Sequence, residues 1–114
     1  MRKQKKRKPA NIEKLIETEW DILKDLKKMM TNHDLSAPER VRTANALGYH
    51  ATVLNKLLAQ KGESTQFDEQ SLGDFIMSIE PNVQPRITTV ELRKTARCAR
   101  RDFTYWKRRL SLNR

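Results

Sequence analysis

Leu15-Ile16, Ile22-Leu23 and Met29-Met30 repeat an apolar pair every seven residues, and Ile12, Glu19 and Leu26 recur at the same interval between them. A strand buries every second residue, whereas this period puts the pairs along one side of a helix. The spacing predicts an amphipathic helix of about three heptads, opened by Asn11 as N-cap and interrupted on its apolar side by Glu19. With only three glycines and four prolines to break the chain, long helices are favoured over many short strands.

Ser36 to Glu39 reads Ser-x-x-Glu, a capping box, with Pro38 in the first turn where its missing N–H costs little. A second helix is expected from there to about Lys61, stopped by Gly62. Its apolar face comprises Val41, Ala44, Leu47, Ala51, Leu54 and Leu58, widened by Ala46, Val53 and Leu57. Gly48 and the alanines are small enough for another helix to approach closely. The short connection "TNHDLS" between two long amphipathic helices predicts an antiparallel hairpin. In that hairpin Glu19 should lie near Gly48, and it is expected to hydrogen-bond Tyr49 or His50.

Residues 63–70 are polar and read as a connection. Leu72, Phe75, Ile76 and Ile79 then share one side of a short predicted helix, Ser71–Ile79, ended by Pro81 and serving as a cover for the hairpin. The last helix should start at the capping box Thr88 to Glu91, with Ile87 and Leu92 as a hydrophobic staple. The fold class expected is all-α: a long antiparallel hairpin, a short helix and a basic amphipathic C-terminal helix. The organisation expected is a disordered basic tail over 1–10, the hairpin and its cover over 11–80, a linker over 81–87 and the last helix over 88–114.

That last helix separates into two faces. Leu92, Ala96, Ala99, Phe103, Trp106 and Leu110 follow spacings of four and three and fall within about an 80° sector, the seam of a helix packed on another. Arg93, Lys94, Arg97, Arg100, Arg101, Lys107 and Arg108 lie on another side, within about 140°. Ordinary solvated faces mix both signs, because opposite charges four apart stabilise a helix and like charges do not. Here Arg93–Arg97, Arg97–Arg100 and Arg97–Arg101 are like-charged neighbours, each costing about 0.2–0.5 kcal/mol. A polyanion would relieve that repulsion, and the planar guanidinium suits phosphate oxygens. Tyr105 sits beyond the basic edge, placed to stack on a base or sugar; Phe103 and Trp106 are assigned to packing.

The net charge of +10 is unevenly spread: residues 1–10 carry six Lys/Arg and no acid, 11–85 are mildly acidic, and 86–114 carry ten Lys/Arg against two acids. Basic ends on an ordinary core point to nucleic acid, DNA or RNA, as partner, held by Lys3, Lys5, Lys6, Arg7 and Lys8 of the tail together with the arginine face. No zinc-finger spacing, RNP-type aromatic motif or KH loop is present, so sugar-phosphate contacts with little sequence specificity are expected. Replacing Arg97, Arg100 and Arg101 with alanine should flatten the salt dependence of binding by about three units.

Catalytic signatures are missing. There is no Gly-rich phosphate loop, Gly-x-Ser-x-Gly or His-Glu-x-x-His, so neither an enzyme nor a cofactor is expected. His33, His50 and Cys98 lack metal-ligand spacing, and no base is identifiable beside Cys98. One cysteine permits no internal disulfide, and "PANIEKLIETEW" replaces the apolar stretch a signal peptide needs. An intracellular setting, cytoplasmic or nucleoid-associated, is expected. The apolar sector of the last helix is narrow and alanine-rich, so a membrane is not an expected partner. The wide apolar stripes also leave room for a homo-oligomer or for docking in a larger assembly. A helical hairpin with basic ends resembles the small helical DNA-packaging adaptors of viruses, such as terminase small subunits, and that resemblance implies an accessory role in a nucleoprotein machine.

Overall fold

A computed structural model describes residues 11–30, 35–78 and 89–111 and shows four helices: α1 (Ile12–Met30), α2 (Ala37–Lys61), α3 (Glu69–Met77) and α4 (Thr89–Ser111). Among the described residues there is no strand, so the all-α reading holds. The tail over 1–10, the linker over 81–87 and the Thr88 cap with its Ile87 staple lie outside the described residues.

The local signals explain where the helices begin and end. Asn11 Oδ1 accepts from the backbone N–H groups of Glu13 and Lys14 at 3.1 and 3.3 Å, closing the first turn of α1. Ser36 and Glu39 form the reciprocal capping box of α2, at 3.2 and 2.9 Å. Gly62 ends α2 at φ 86, the left-handed region where a side chain would be strained, and its N–H reaches the Leu58 and Ala59 carbonyls. A second capping box, Asp68 with Ser71, starts α3 two residues before the expected Ser71. Its sequence signal is Asp-x-x-Ser, a variant of the box with serine in place of the usual Glu or Gln.

α1 and α2 form the antiparallel hairpin. Lys61 Nζ at the end of α2 sits 3.2 Å from Glu13 Oε2 at the start of α1. At the other end Arg40 donates to the Met30 carbonyl at 3.2 Å. Midway, Glu19 Oε1 and His50 Nδ1 are 2.6 Å apart. The polar interruption of the α1 stripe is therefore answered by a partner across the hairpin, as the spacing predicted.

α4 lies alongside α2 and parallel to it. The register runs from Ala44 opposite Thr95 and Cys98, past Gly48 opposite Ala99 and Phe103, to Lys56, whose Nζ donates to the Leu110 carbonyl at 3.0 Å. Gly48 makes this crossing possible. A Cβ there would stand 2.6 Å from the Phe103 backbone nitrogen and 2.9 Å from the Ala99 carbonyl oxygen. The two backbones meet with no side chain between them.

α3 runs antiparallel to α4, with Glu69 beside Thr104 and Lys107, and Gly73 beside Arg100. It also touches α1: Trp20 packs on Phe67 and Phe75 at ring-centre distances of 5.6 and 6.3 Å, and Lys27 donates to Ser78 Oγ at 2.7 Å. The short helix is thus less a lid on the hairpin than a strut between α4 and α1.

The core gathers Leu23, Met30, Ala44, Leu47, Ala51, Leu54, Leu72, Ile76, Ala99 and Phe103, with Leu58, Phe67, Leu92 and Ala96 at its margin. The α4 seam is correct as read, except that Trp106 and Leu110 are only half-buried. Besides Leu15 and Met29 of the α1 stripe, which are exposed, pattern alone misplaces Val41 and Phe67. Val41, assigned to the apolar face of α2, is 52% exposed, and Phe67, in a stretch read as a polar connection, is buried. Phe67 is held there by Asn55, whose Oδ1 accepts from the Gln66 and Phe67 N–H groups and whose Nδ2 donates to the Phe67 carbonyl.

Candidate nucleic-acid interface

The basic face of α4 begins with the same geometry that forms its seam. Ala96, Ala99 and Phe103 must point at α2, so residues about half a turn away must point outward. Arg93, Lys94, Arg97, Arg101, Lys107 and Arg108 are exposed, and Arg100 is half-buried. The structure therefore brings all seven predicted cations of this helix to one side. The five tail cations, Lys3, Lys5, Lys6, Arg7 and Lys8, lie outside the described residues.

The seven are not equivalent, because α3 packs along one edge of the face. Lys107 Nζ lies 3.1 Å from Glu69 Oε2 and 5.4 Å from the centre of the Phe103 ring. The Arg100 side chain lies across Gly73, where an added Cβ would meet its Cδ at 3.1 Å. Glu69 also accepts a hydrogen bond from the Thr104 hydroxyl at 2.7 Å. That bond is the main reason its carboxyl is held below its ordinary value; burial opposes it, and the hydrogen bond from the Lys107 ammonium adds a further lowering. Asp68 is occupied as well: the Ser71 N–H chiefly lowers its pKa.

The opposite edge is open. Among the described residues no carboxylate lies within ion-pair distance of Lys94, Arg97, Arg108 or Arg109. Arg101 has one, Asp102 Oδ1 at 3.5 Å from its Nε, but the arginine side chain stays 69% exposed. Such a surface pair contributes little and leaves most of the guanidinium donors free. Lys94, Arg97, Arg101 and Arg108 span about 60° around the helix and about 21 Å along it.

Arg109 was missing from the predicted site. It is exposed at the margin of the stripe, its guanidinium 5.8 Å from the centre of the Tyr105 ring. The signal available was its place beside Tyr105, but it falls outside the arc used to define the face. Tyr105 is 50% exposed and packs its ring against Trp106 in an edge-to-face contact at 5.0 Å. Trp106 in turn meets Tyr49 edge-on at 4.9 Å. Its indole Nε1 is buried without a hydrogen-bond partner among the described residues.

Between α3 and α4 runs a groove of about 580 Å³, lined by Asp68, Glu69 and Gln70 on one wall and Arg97, Arg100, Arg101 and Thr104 on the other. Among the described residues no group of three or more His, Cys, Asp or Glu side chains is arranged to hold a metal ion. No described helix is long and apolar enough to cross a membrane. Cys98 is half-buried against the core. Compared with protein-family models, curated proteins and solved structures, the chain matches none.

Proposed function

We propose that this chain is a small nucleic-acid-binding protein that grips the sugar-phosphate backbone through α4, with little reading of base sequence. The observation that carries the reading is the open row Lys94, Arg97, Arg101 and Arg108, extended by Arg109, on a helix whose other side is committed to the core. Guanidinium groups held there by a folded scaffold neutralise phosphates without first breaking strong internal pairs. The tail cations Lys3, Lys5, Lys6, Arg7 and Lys8 add charge to the same partner, DNA or RNA. The chain acts by binding, not by catalysis, inside the cell.

Salt dependence tests this directly. If about six phosphates are neutralised, the logarithm of the binding constant should fall with the logarithm of salt at a slope of roughly −5. A slope near zero, or no binding at about 0.05 M salt, would end the proposal.

A second reading has its own observation. Leu15 and Met29 are 41% and 45% exposed. Ile22, Val53 and Leu57 are half-buried yet lie outside the residues packed on the core. Helical spacing sets them on the outer side of the hairpin, flanking the Glu19–His50 pair. That face supports an assembly role, as a homo-oligomer or as an accessory subunit of a larger nucleoprotein machine, for example of the terminase-small-subunit type. Sedimentation separates the two readings: a monomer with nucleic-acid affinity favours the first, and an oligomer without it favours the second.

A further inference from the structure

We infer that the α4 stripe takes duplex rather than single-stranded nucleic acid, an inference that rests on the binding reading above. Three observations carry it.

Single-strand binders hold unpaired bases on exposed aromatic faces. Here the described rings are turned to one another. Trp20, Phe67 and Phe75 pack together, and Phe103 is fully buried. Tyr49 and Trp106 meet edge-on away from the stripe. Tyr105 alone is half exposed, and the Arg109 guanidinium already lies over its ring.

The groove between α3 and α4 is also wrong for a strand. Asp68 and Glu69 line one wall opposite Arg97, Arg100 and Arg101, and Asp74 stands in its continuation beside Arg93, Arg97 and Arg100. A phosphate backbone threaded there would face carboxylates at close range. Lys94 and Arg108 lie outside that groove, and Arg97 and Arg101 at its rim are exposed to solvent.

The row lies along one continuous helix whose other side is packed on the core. Over its length of about 21 Å a duplex presents about 12 phosphate charges and a single strand about 6. A duplex brings them already ordered, whereas a flexible strand must lose conformational entropy to follow the row.

The test is fluorescence anisotropy with the full chain and a labelled DNA of about 20 base pairs, beside each of its separated, non-self-complementary strands at about 0.1 M salt. The duplex should bind at least about tenfold tighter than either strand. Tyr105→Ala should change strand binding by less than about twofold. Equal or tighter binding of the strands, or loss of strand binding in Tyr105→Ala, would overturn the inference while leaving the binding reading intact. Failure of duplex and strands alike would remove that reading, and this inference with it.

Discussion

The two edges of α4 carry the same kinds of side chain and meet different fates. Toward α3, Lys107 is tied to Glu69 and Arg100 lies across Gly73. Toward solvent, Arg97, Arg101 and Arg108 keep most of their donors unengaged. A helical wheel drawn from the sequence puts all five in one basic face. The difference comes from a neighbour supplied by the short helix, far away in the chain. Charge on a helix is a local property, but availability of that charge is a tertiary one.

The harshest test disturbs the frame that both edges share. Gly48→Ala forces a Cβ against the α4 backbone and should cost about 1–3 kcal/mol in denaturant unfolding, since backbone cannot swing aside as a side chain can. A stability unchanged within error would show that α2 and α4 are farther apart than described.

Next in size, Arg97→Ala, Arg101→Ala and Arg108→Ala combined should weaken duplex binding about 10–100-fold and reduce the salt slope by about three. Stability should move by no more than about 0.5 kcal/mol, because these groups make no contact that folding depends on. The matching double variant on the other edge, Arg100→Ala with Lys107→Ala, should shift the slope by at most about one unit. Equal slopes from the two variants would erase the distinction between the edges.

The smallest effect expected is that of Glu69→Gln. Glutamine still offers Thr104 an acceptor but releases Lys107, so binding should tighten by up to about threefold. The sign of the acid response follows from the lowered carboxyl pKa. Its ordinary value is 4.5, and the folded protein holds it below that. The pair therefore stabilises the fold above pH 4.5, and that contribution disappears as pH falls through the lower folded value. Unfolding free energy measured across this range should fall less in Glu69→Gln than in the parent, and an identical acid profile would show that the Thr104 hydrogen bond is absent in solution.

Much of the fold is legible in the chain because its signals are local. Asn11, Ser36–Glu39 and Gly62 set helix ends through hydrogen bonds within a few residues, and the structure places those ends accordingly. The Glu19–His50 contact was readable from register, since a short turn fixes which residues of a hairpin face each other. Gly48 announced a close approach but not which helix makes it. Other features depend on partners remote in sequence. Phe67 looks stranded in a polar run until Asn55, on α2, grips its backbone. Val41 fits the apolar stripe of α2, yet its neighbours leave 52% of it exposed. The pairing of α3 with α4 follows from packing across the whole bundle, and it decides that Lys107 is engaged while Arg108 is not.

The Gly48 crossing bears on how the cations behave as a set. Two helices separated by ordinary side chains can slip by re-sorting rotamers. Here peptide meets peptide, and a shift of even one residue would drive a neighbouring side chain into the opposing main chain. The arginine row is thus mounted as on a fixed rail, and its spacing cannot adjust independently of the bundle.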